Sequence, residues 1–176
     1  MNLLLIDGIR IPMKKDTNLY DLFVMKLQSL LDIETVLTKA LGKMAQKAHD
    51  NELQMAFREN LKETHIHTDR IREVFELLGE KAKKLPAEAI RGLVSDIDWI
   101  VNNVKNPAAL DASLIASAHY VEHYEMAGYS TAVEWARLMG HAHVANLLEQ
   151  TLNEEKTAND RLRWLALKKI NSKANS

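Results

Sequence analysis

The chain has 176 residues, of which 47% are hydrophobic and 27% are charged, and this composition suits one soluble globular domain with a full core. Its formal net charge of −1 gives no electrostatic reason to expect a nucleic acid or an anionic membrane as a partner. The sequence contains no Cys, which excludes disulfides, thiolate metal sites and thiol catalysis. No apolar run approaches the ~20 residues of a transmembrane helix and no signal peptide is recognisable, so we expect a cytoplasmic protein.

The first sixteen residues differ in pattern from the rest of the chain. Gly8 and Pro12 are turn signals in a short segment that lacks helical periodicity. Two interpretations stay open for residues 1–16, a loose tail or a short strand or arm that packs on a partner subunit. We therefore expect a helical domain over residues 17–170, preceded by this segment and followed by a frayed tail at 171–176.

The remaining pattern predicts four long amphipathic helices and one shorter helix. The chain has only 6 Gly and 3 Pro, which favours long helices over many short strands. Apolar residues recur at steps of three and four, the spacing of one face of an α-helix. Thr17 or Asn18 is expected to cap the first helix, and Pro86 is expected at the first position of the third. The predicted helices cover about 18–48, 52–78, 86–104, 108–139 and 141–168.

Each of the four long helices carries at least one carboxylate on or beside its apolar stripe, near the middle of the helix. Glu34, Glu125 and Glu155 stand at the centres of three separate stripes, where apolar residues are expected. A buried charge costs several kcal/mol, and Glu is rarely buried without a partner. A four-helix bundle brings such positions together in its core when one crossover connection links its two hairpins. The sequence therefore predicts an all-α, up-down four-helix bundle whose crossover carries the short helix.

Two divalent metal ions would compensate these carboxylates, because hard oxygen ligands suit iron or manganese. Glu63 and Glu122 lie at the edges of their stripes, and Glu122 points the same way as Glu125 three residues later. His67 follows Glu63 by four residues and can offer a ring nitrogen to a metal or hold a carboxylate. The alternative is that these glutamates reach solvent, stay protonated or hydrogen-bond to core Tyr and Asn. The predicted metal ligands are Glu34, Glu63, Glu122, Glu125 and Glu155, with His67 as the weaker candidate.

Three further polar residues are predicted to surround these ligands. Tyr129 lies on its stripe four residues after Glu125, which puts the hydroxyl near the carboxylates. His119 and Asn159 fall three or four residues from a predicted ligand on the same helix. We expect Tyr129, Asn159 and His119 to hydrogen-bond to the ligands and so to orient them.

Four segments carry a family resemblance, and they extend over about residues 17–170. They are LYDLF in the first helix, HIHTDRIREVFELLGE in the second, LDASLIASAHYVEHYEMAGYSTAVEWARLMG in the fourth and TLNEEKTANDRL in the fifth. On these segments the chain resembles the YciE/YciF family of ferritin-like bacterial stress proteins. The resemblance implies a ferritin-like bundle of long antiparallel helices, often dimeric, with a rubrerythrin-like dinuclear metal site.

The resemblance also implies which residues bind the metals, and it marks departures from the usual ligand set. The YciF-like pattern implies Asp where this chain has Asn159, and Gln where it has His67 and His119. Ferritin-like di-iron sites usually supply Glu-x-x-His twice, whereas the corresponding positions here are Ile66 and Ala158. The implied ligands are Glu34, Glu63, the Glu-x-x-Glu pair Glu122 and Glu125, and Glu155.

Carboxylate placement and the resemblance together predict a stress-response protein with a dinuclear iron or manganese centre in the bundle core. If the protein is an enzyme, it is a di-metal oxidoreductase or a peroxidase-like enzyme that reacts with O2 or peroxide. We expect a homodimer without nucleic-acid or membrane partners. Two alternatives stay open, a non-catalytic helical interaction protein with a metal-free polar core and an iron store built as a closed shell of many subunits.

Overall fold

The structure is a computed structural model that describes the backbone of residues 3–6, 9–12 and 16–175, with side chains from residue 16 onward. A π-helical segment joins the last two helices. The elements are β1 (Leu3–Ile6), β2 (Ile9–Pro12), α1 (Leu19–Lys47), α2 (Asn51–Leu77), α3 (Glu88–Asn103), α4 (Pro107–Leu138), α5 (Ala142–Leu165), the π-helical segment (Ala166–Ile170) and α6 (Asn171–Ala174). The predicted all-α bundle is confirmed, with a short hairpin before it.

The four long helices form a bundle in which α1 and α5 each pack against both α2 and α4. The backbone N–H of His49, just after α1, donates to Asp111 near the start of α4. At the opposite end, Tyr20 near the start of α1 donates to Glu80 just after α2. Neighbouring helices are therefore antiparallel. The crossover from α2 to α4 runs the length of the bundle, and its helix α3 packs on α1 and α4.

The core contains the apolar stripes predicted from the sequence. Phe23, Phe57 and Phe75 are fully buried among leucines and isoleucines from the packed faces of the helices. Fully burying such a side chain stabilises the fold by ~1.5–3 kcal/mol. Helices α1 and α4 approach closely at Gly128, where an added Cβ would lie 3.0 Å from Leu30 Cδ2. Glycine at this position therefore lets the two helices meet beside the polar centre of the bundle.

The helix ends follow the predicted signals at most positions. Asn18 and Asp21 form a reciprocal capping box at the start of α1, so Asn18 is the cap. Gly79 and Gly140 adopt φ values of 68° and 80° just past the ends of α2 and α4. This left-handed conformation is the one that ends a helix and that glycine adopts without strain.

One predicted helix start is wrong, because Pro86 lies outside α3. The first helical residue is Glu88, and Ala87 before it has an extended backbone. The backbone N–H of Ala87 donates to the buried carboxylate of Asp32 at 2.9 Å, and Arg91 donates to the same oxygen. This contact with α1 holds the chain extended at Ala87, so the helix begins two residues later than the proline suggests.

The two ends of the chain are more regular than a loose or frayed tail. Strands β1 and β2 pair antiparallel, so the N-terminal segment contains short strands, while its packing on a partner subunit stays an expectation. At the other end, α6 continues from the π-helical segment where fraying was expected. Lys169 and Lys173 from this region both contact Asp50 at the start of α2. Within the described ranges, no helix is both long enough and apolar enough to cross a membrane.

Asp111 ties the turn between α1 and α2 to α4, and its removal should lower stability. The buried carboxylate accepts hydrogen bonds from the backbone N–H groups of His49 and Asp50 at 2.7 and 2.8 Å. Asp111→Ala leaves both groups without this acceptor, at a cost of ~1–3 kcal/mol for each buried group. We expect the free energy of unfolding in urea to fall by about 2–4 kcal/mol. The exposed control Asp160→Ala should change it by less than about 0.5 kcal/mol, and equal losses in both variants would contradict this role.

Asp50 should make stability depend on pH in the acid range. Its side chain accepts hydrogen bonds from the backbone N–H of Glu52 and from Lys169 and Lys173. Burial alone would raise the pKa of this carboxyl, but the two lysines and the backbone hydrogen bond lower it to about 2, from an ordinary value of 3.8. Because the folded pKa is the lower one, the ionised carboxylate stabilises the fold above about pH 4, and this contribution is lost as the pH falls through about 2.

Asp50→Asn should therefore destabilise the protein at neutral pH, with an effect that shrinks as the pH falls below about 4. Urea unfolding of both proteins at pH steps from 7 downward measures the difference. Asp98→Asn, which removes an exposed carboxylate paired with Lys43, is the control and should have a small effect throughout. A loss in Asp50→Asn that does not change with pH would show that the charge is not the cause.

Candidate metal centre

Four buried glutamates meet near the middle of the bundle. Glu34 of α1, Glu122 and Glu125 of α4, and Glu155 of α5 are each at most 6% exposed. Each takes a position on the inward face near the middle of its helix, and the antiparallel packing brings these mid-helix positions together. His67 of α2 joins them from the remaining helix and is only 2% exposed. All four long helices therefore contribute to one buried polar cluster.

The possible ligand atoms of this cluster form two groups that share Glu155. One group contains Glu34, His67 and Glu155, and the other contains Glu122, Glu125 and Glu155. Within each group the ligand atoms lie within 4.8 Å of one another. Carboxylate oxygens with one imidazole nitrogen are donors that suit iron or manganese. The residues therefore fit two such ions, with Glu155 placed to contact both.

Several oxygens of the cluster are buried without a hydrogen-bond partner in the described part of the chain. They are Glu34 Oε2, Asn60 Oδ1, Glu122 Oε2 and Glu125 Oε1. A buried polar atom left unpaired costs ~1–3 kcal/mol, and more when it carries charge. A cation bound among these atoms would satisfy the carboxylate oxygens, so the pattern is the one expected of a metal site.

Two hydrogen bonds hold carboxylates of the cluster in place. The hydroxyl of the fully buried Tyr129 donates to Glu34 Oε1, as expected from the sequence. On the other side of the cluster, Asn60 Nδ2 donates to Glu122 Oε1 at 2.9 Å. In each pair the second oxygen of the carboxylate keeps its lone pairs unused. These donors therefore fix the direction of a carboxylate and leave it able to bind a cation.

The electrostatics of the cluster favour a bound cation. Burial raises the pKa values of Glu122 and Glu125 well above the ordinary range, and the nearby Glu155 and Glu34 raise them further. Burial also raises the pKa of Glu34, although His67 opposes this shift. Burial lowers the pKa of His67, but Glu155 and Glu34 raise it to about 10. The ring of His67 thus faces acidic side chains that disfavour one another's ionisation.

The other predicted site residues lie further from this centre. Glu63 and residues of the cluster line one small cleft. However, the Glu63 side chain is 29% exposed, and its Oε1 lies 3.9 Å from Arg161 Nη2. Glu63 belongs to neither ligand group. His119 and Asn159 are expected beside ligands, yet they hydrogen-bond to each other, Nδ1 to Oδ1, at 2.7 Å. These two residues face one another across α4 and α5, and neither is among the residues that line the cleft.

Three residues of the site are missing from the set predicted from sequence. Asn60 lies in the polar middle of the α2 stripe, and that interruption is the signal that could have identified it. Glu154 contacts His67, and Arg70 contacts Glu154, but the sequence pattern indicates only ordinary surface charges at both positions. Only their positions in the sequence could have indicated a role at the site. Glu154 adjoins Glu155, and Arg70 follows His67 by three residues, on the same helix face.

Comparisons with known proteins agree on a family and a fold. Residues 18–175 match the family model described as a domain of unknown function, DUF892. Protein YciF of Escherichia coli K12 is 36% identical over 155 residues, which are 88% of this chain and 93% of YciF. The crystal structure of this E. coli stress protein matches with a TM-score of 0.85 and 35% identity, over 88% of this chain and 98% of that one. YcfI from Rhodopseudomonas palustris matches with a TM-score of 0.83 and 35% identity, over 86% of this chain and 97% of that one.

These matches span nearly the whole helical bundle. The range matched by the family model, residues 18–175, includes every residue of the buried polar cluster. The chain therefore belongs to the DUF892 family, the family of YciF.

Proposed function

We propose that this protein binds two iron or manganese ions in its bundle core and uses them to react with O2 or peroxide in a stress response. The observation that carries the proposal is the pair of buried ligand groups that share Glu155, with carboxylate oxygens left unpaired. Buried polar groups in native proteins are nearly always satisfied, so unpaired carboxylate oxygens in a cluster support the binding of a cation. The stress assignment is supported by the relative YciF, which is called a stress protein.

Each ion has its own set of residues in this proposal. Glu34, His67 and Glu155 would hold one ion, and Glu122, Glu125 and Glu155 would hold the other. Glu63, at the exposed edge of the cleft, is a further ligand once its side chain leaves Arg161. Tyr129 and Asn60 orient the carboxylates to which they donate hydrogen bonds.

The size of the cleft favours a very small substrate. Its free volume is about 10 Å3, and apolar side chains of Leu41 and Val121 line it together with the polar cluster. A space of this size holds about one water molecule, which excludes a bulky substrate. Bound iron or manganese would supply the electron exchange with O2 or peroxide. The protein residues bind and orient the ions and limit the access of water.

The proposal also includes a homodimer, as the family resemblance implies, in the cytoplasm, as expected from the sequence. Light scattering of the purified chain tests this part separately, since it reports the mass in solution. A dimer would exclude the closed shell that an iron store requires, whereas a large assembly would favour storage.

The alternative is a helical interaction protein with a metal-free polar core. It is supported by the position of His67, whose Nδ1 lies 2.9 Å from Glu155 Oε1 and 3.7 Å from Glu34 Oε1. This imidazolium, together with the hydrogen bonds from Tyr129 and Asn60, partly compensates the carboxylates without a metal. The two functions differ in metal content, which can be measured directly.

Metal loading should stabilise the protein. After anaerobic reconstitution with Fe(II) or Mn(II), we expect about two ions per chain by elemental analysis and a higher melting temperature, because an ion that binds only the folded state shifts the equilibrium toward it. Glu155→Gln removes the carboxylate common to both ligand groups and should lose most of the metal. The matched control Glu149→Gln, at an exposed position on the same helix, should bind metal normally. A wild-type chain with no metal and an unchanged melting temperature would overturn the proposal.

Glu125→Gln should change stability in opposite directions with and without metal. In the metal-free protein the substitution removes a buried carboxyl whose Oε1 has no hydrogen-bond partner, so the melting temperature should stay the same or rise. In the presence of Mn(II) the variant should lose much of the stabilisation that the wild type gains. If the polar core works without metal, the difference between the two proteins will be the same in both conditions.

A further inference from the structure

His67 has two ring nitrogens in different surroundings. Nε2 lies 2.9 Å from Glu154 Oε2, on the outer side of the ring. Nδ1 points the other way, to Glu155 Oε1 at 2.9 Å and Glu34 Oε1 at 3.7 Å. The ring is buried, so both directions are set by the protein rather than by solvent.

The outer partner of the ring is itself held firmly. Arg70 binds the Glu154 carboxylate with two nitrogens, at 2.7 and 3.2 Å, and Nη1 also donates to the buried Thr151 at 2.5 Å. A bidentate pair between guanidinium and carboxylate fixes the orientation of both groups. Because Arg70 belongs to α2 and Glu154 to α5, the pair also spans the two helices that supply His67 and Glu155.

The inner nitrogen has the environment of a metal ligand. Nδ1 is buried and makes no well-aligned hydrogen bond within the described chain, although Glu155 Oε1 is only 2.9 Å away. Two ligand atoms that bind one ion at right angles, with bonds of about 2.1 Å, are about 3 Å apart. Metal-binding histidines almost always donate their second ring N–H to a carboxylate, a carbonyl or water. The contact between Nε2 and Glu154 is of this kind.

We propose that Glu154 and Arg70 are positioning residues that direct His67 Nδ1 toward Glu34 and Glu155, where it is the nitrogen ligand of one metal ion. The inference rests on the proposed function, since it assigns a ligand within the same dinuclear centre. It makes the centre asymmetric, with one ion bound by oxygen and nitrogen and the other by oxygen alone. Imidazole suits iron and zinc more than magnesium or calcium, so the His67 side should select for transition metals.

The first experiment is a crystal structure of the Mn(II)-loaded protein, with the ions located by anomalous scattering. We expect one ion bonded to Nδ1 of His67 and hydrogen-bonded contact between Nε2 and Glu154. Two ions bound by carboxylates alone, with His67 turned away or bonded only to Glu155, would overturn the inference and leave the proposed function standing. A protein that binds no Mn(II) would overturn both.

The second experiment separates positioning from a merely structural role by Mn(II) titration of matched variants. Glu154→Leu removes the acceptor of the Nε2 proton and should weaken binding of one ion by about 10-fold or more. Glu154→Gln keeps an acceptor there and should restore most of the affinity. The control Glu149→Leu removes another glutamate of α5 that is paired with an arginine, Arg137, and should leave both affinities unchanged.

These titrations have defined failures as well. Equal affinities for wild type and Glu154→Leu, or equal losses in the Leu and Gln variants, would show that Glu154 does not act through the hydrogen bond to His67. Circular dichroism confirms that each variant keeps its helices. If Glu154→Leu fails to fold, His67→Gln replaces it, because this variant should lose the tighter binding of a single ion. Two ions bound with wild-type affinity by His67→Gln would overturn the inference.

Discussion

The structure depends on the burial of several carboxylates at one point of a helical core. Ion–ion repulsion and the loss of hydration oppose this arrangement, and the apolar contacts along the rest of the helices must outweigh both. The fold meets this constraint by placing the cluster at mid-length, where the packed stripes extend on either side of it. Tyr129, Asn60 and His67 compensate part of the charge of the cluster. One oxygen each of Glu34, Glu122 and Glu125 has no hydrogen-bond partner in the described chain.

The helices could be predicted from the local sequence because apolar spacing and capping are local properties. The errors arise where a distant side chain decides the local backbone. Ala87 is held extended by Asp32, which lies 55 residues earlier in the sequence, so Pro86 could not mark the start of α3. Asp111 fixes the turn after α1 from 61 and 62 residues away. Neither contact changes the periodic pattern of apolar residues in the sequence. Both can be identified only in the folded structure, where the helices pack together.

The site was predictable to the extent that it violates the apolar pattern. Glu34, Glu125 and Glu155 interrupt stripes, and a helical wheel identifies them without any tertiary information. Residues at stripe edges are different, because a small rotation of the helix turns them inward or outward. Glu122 is buried and Glu63 is half-exposed, although both are edge positions in the sequence. The contacts of Glu154 depend on the distance between α2 and α5, which no local pattern encodes.

At the centre of the bundle, a proton and a metal ion would compete for the same nitrogen of His67. His67 Nδ1 faces Glu34 and Glu155, which raise the pKa of the ring, and in the absence of metal a protonated His67 lowers the repulsion that folding must overcome. The nitrogen that faces these carboxylates, Nδ1, lies where an ion would bind. The same atoms would therefore either stabilise the metal-free fold or bind the ion. A site without such a cation would bind the first ion more tightly but would be harder to fold empty. If the proposed ions bind, part of their intrinsic affinity would be offset by the proton that an ion must replace on His67.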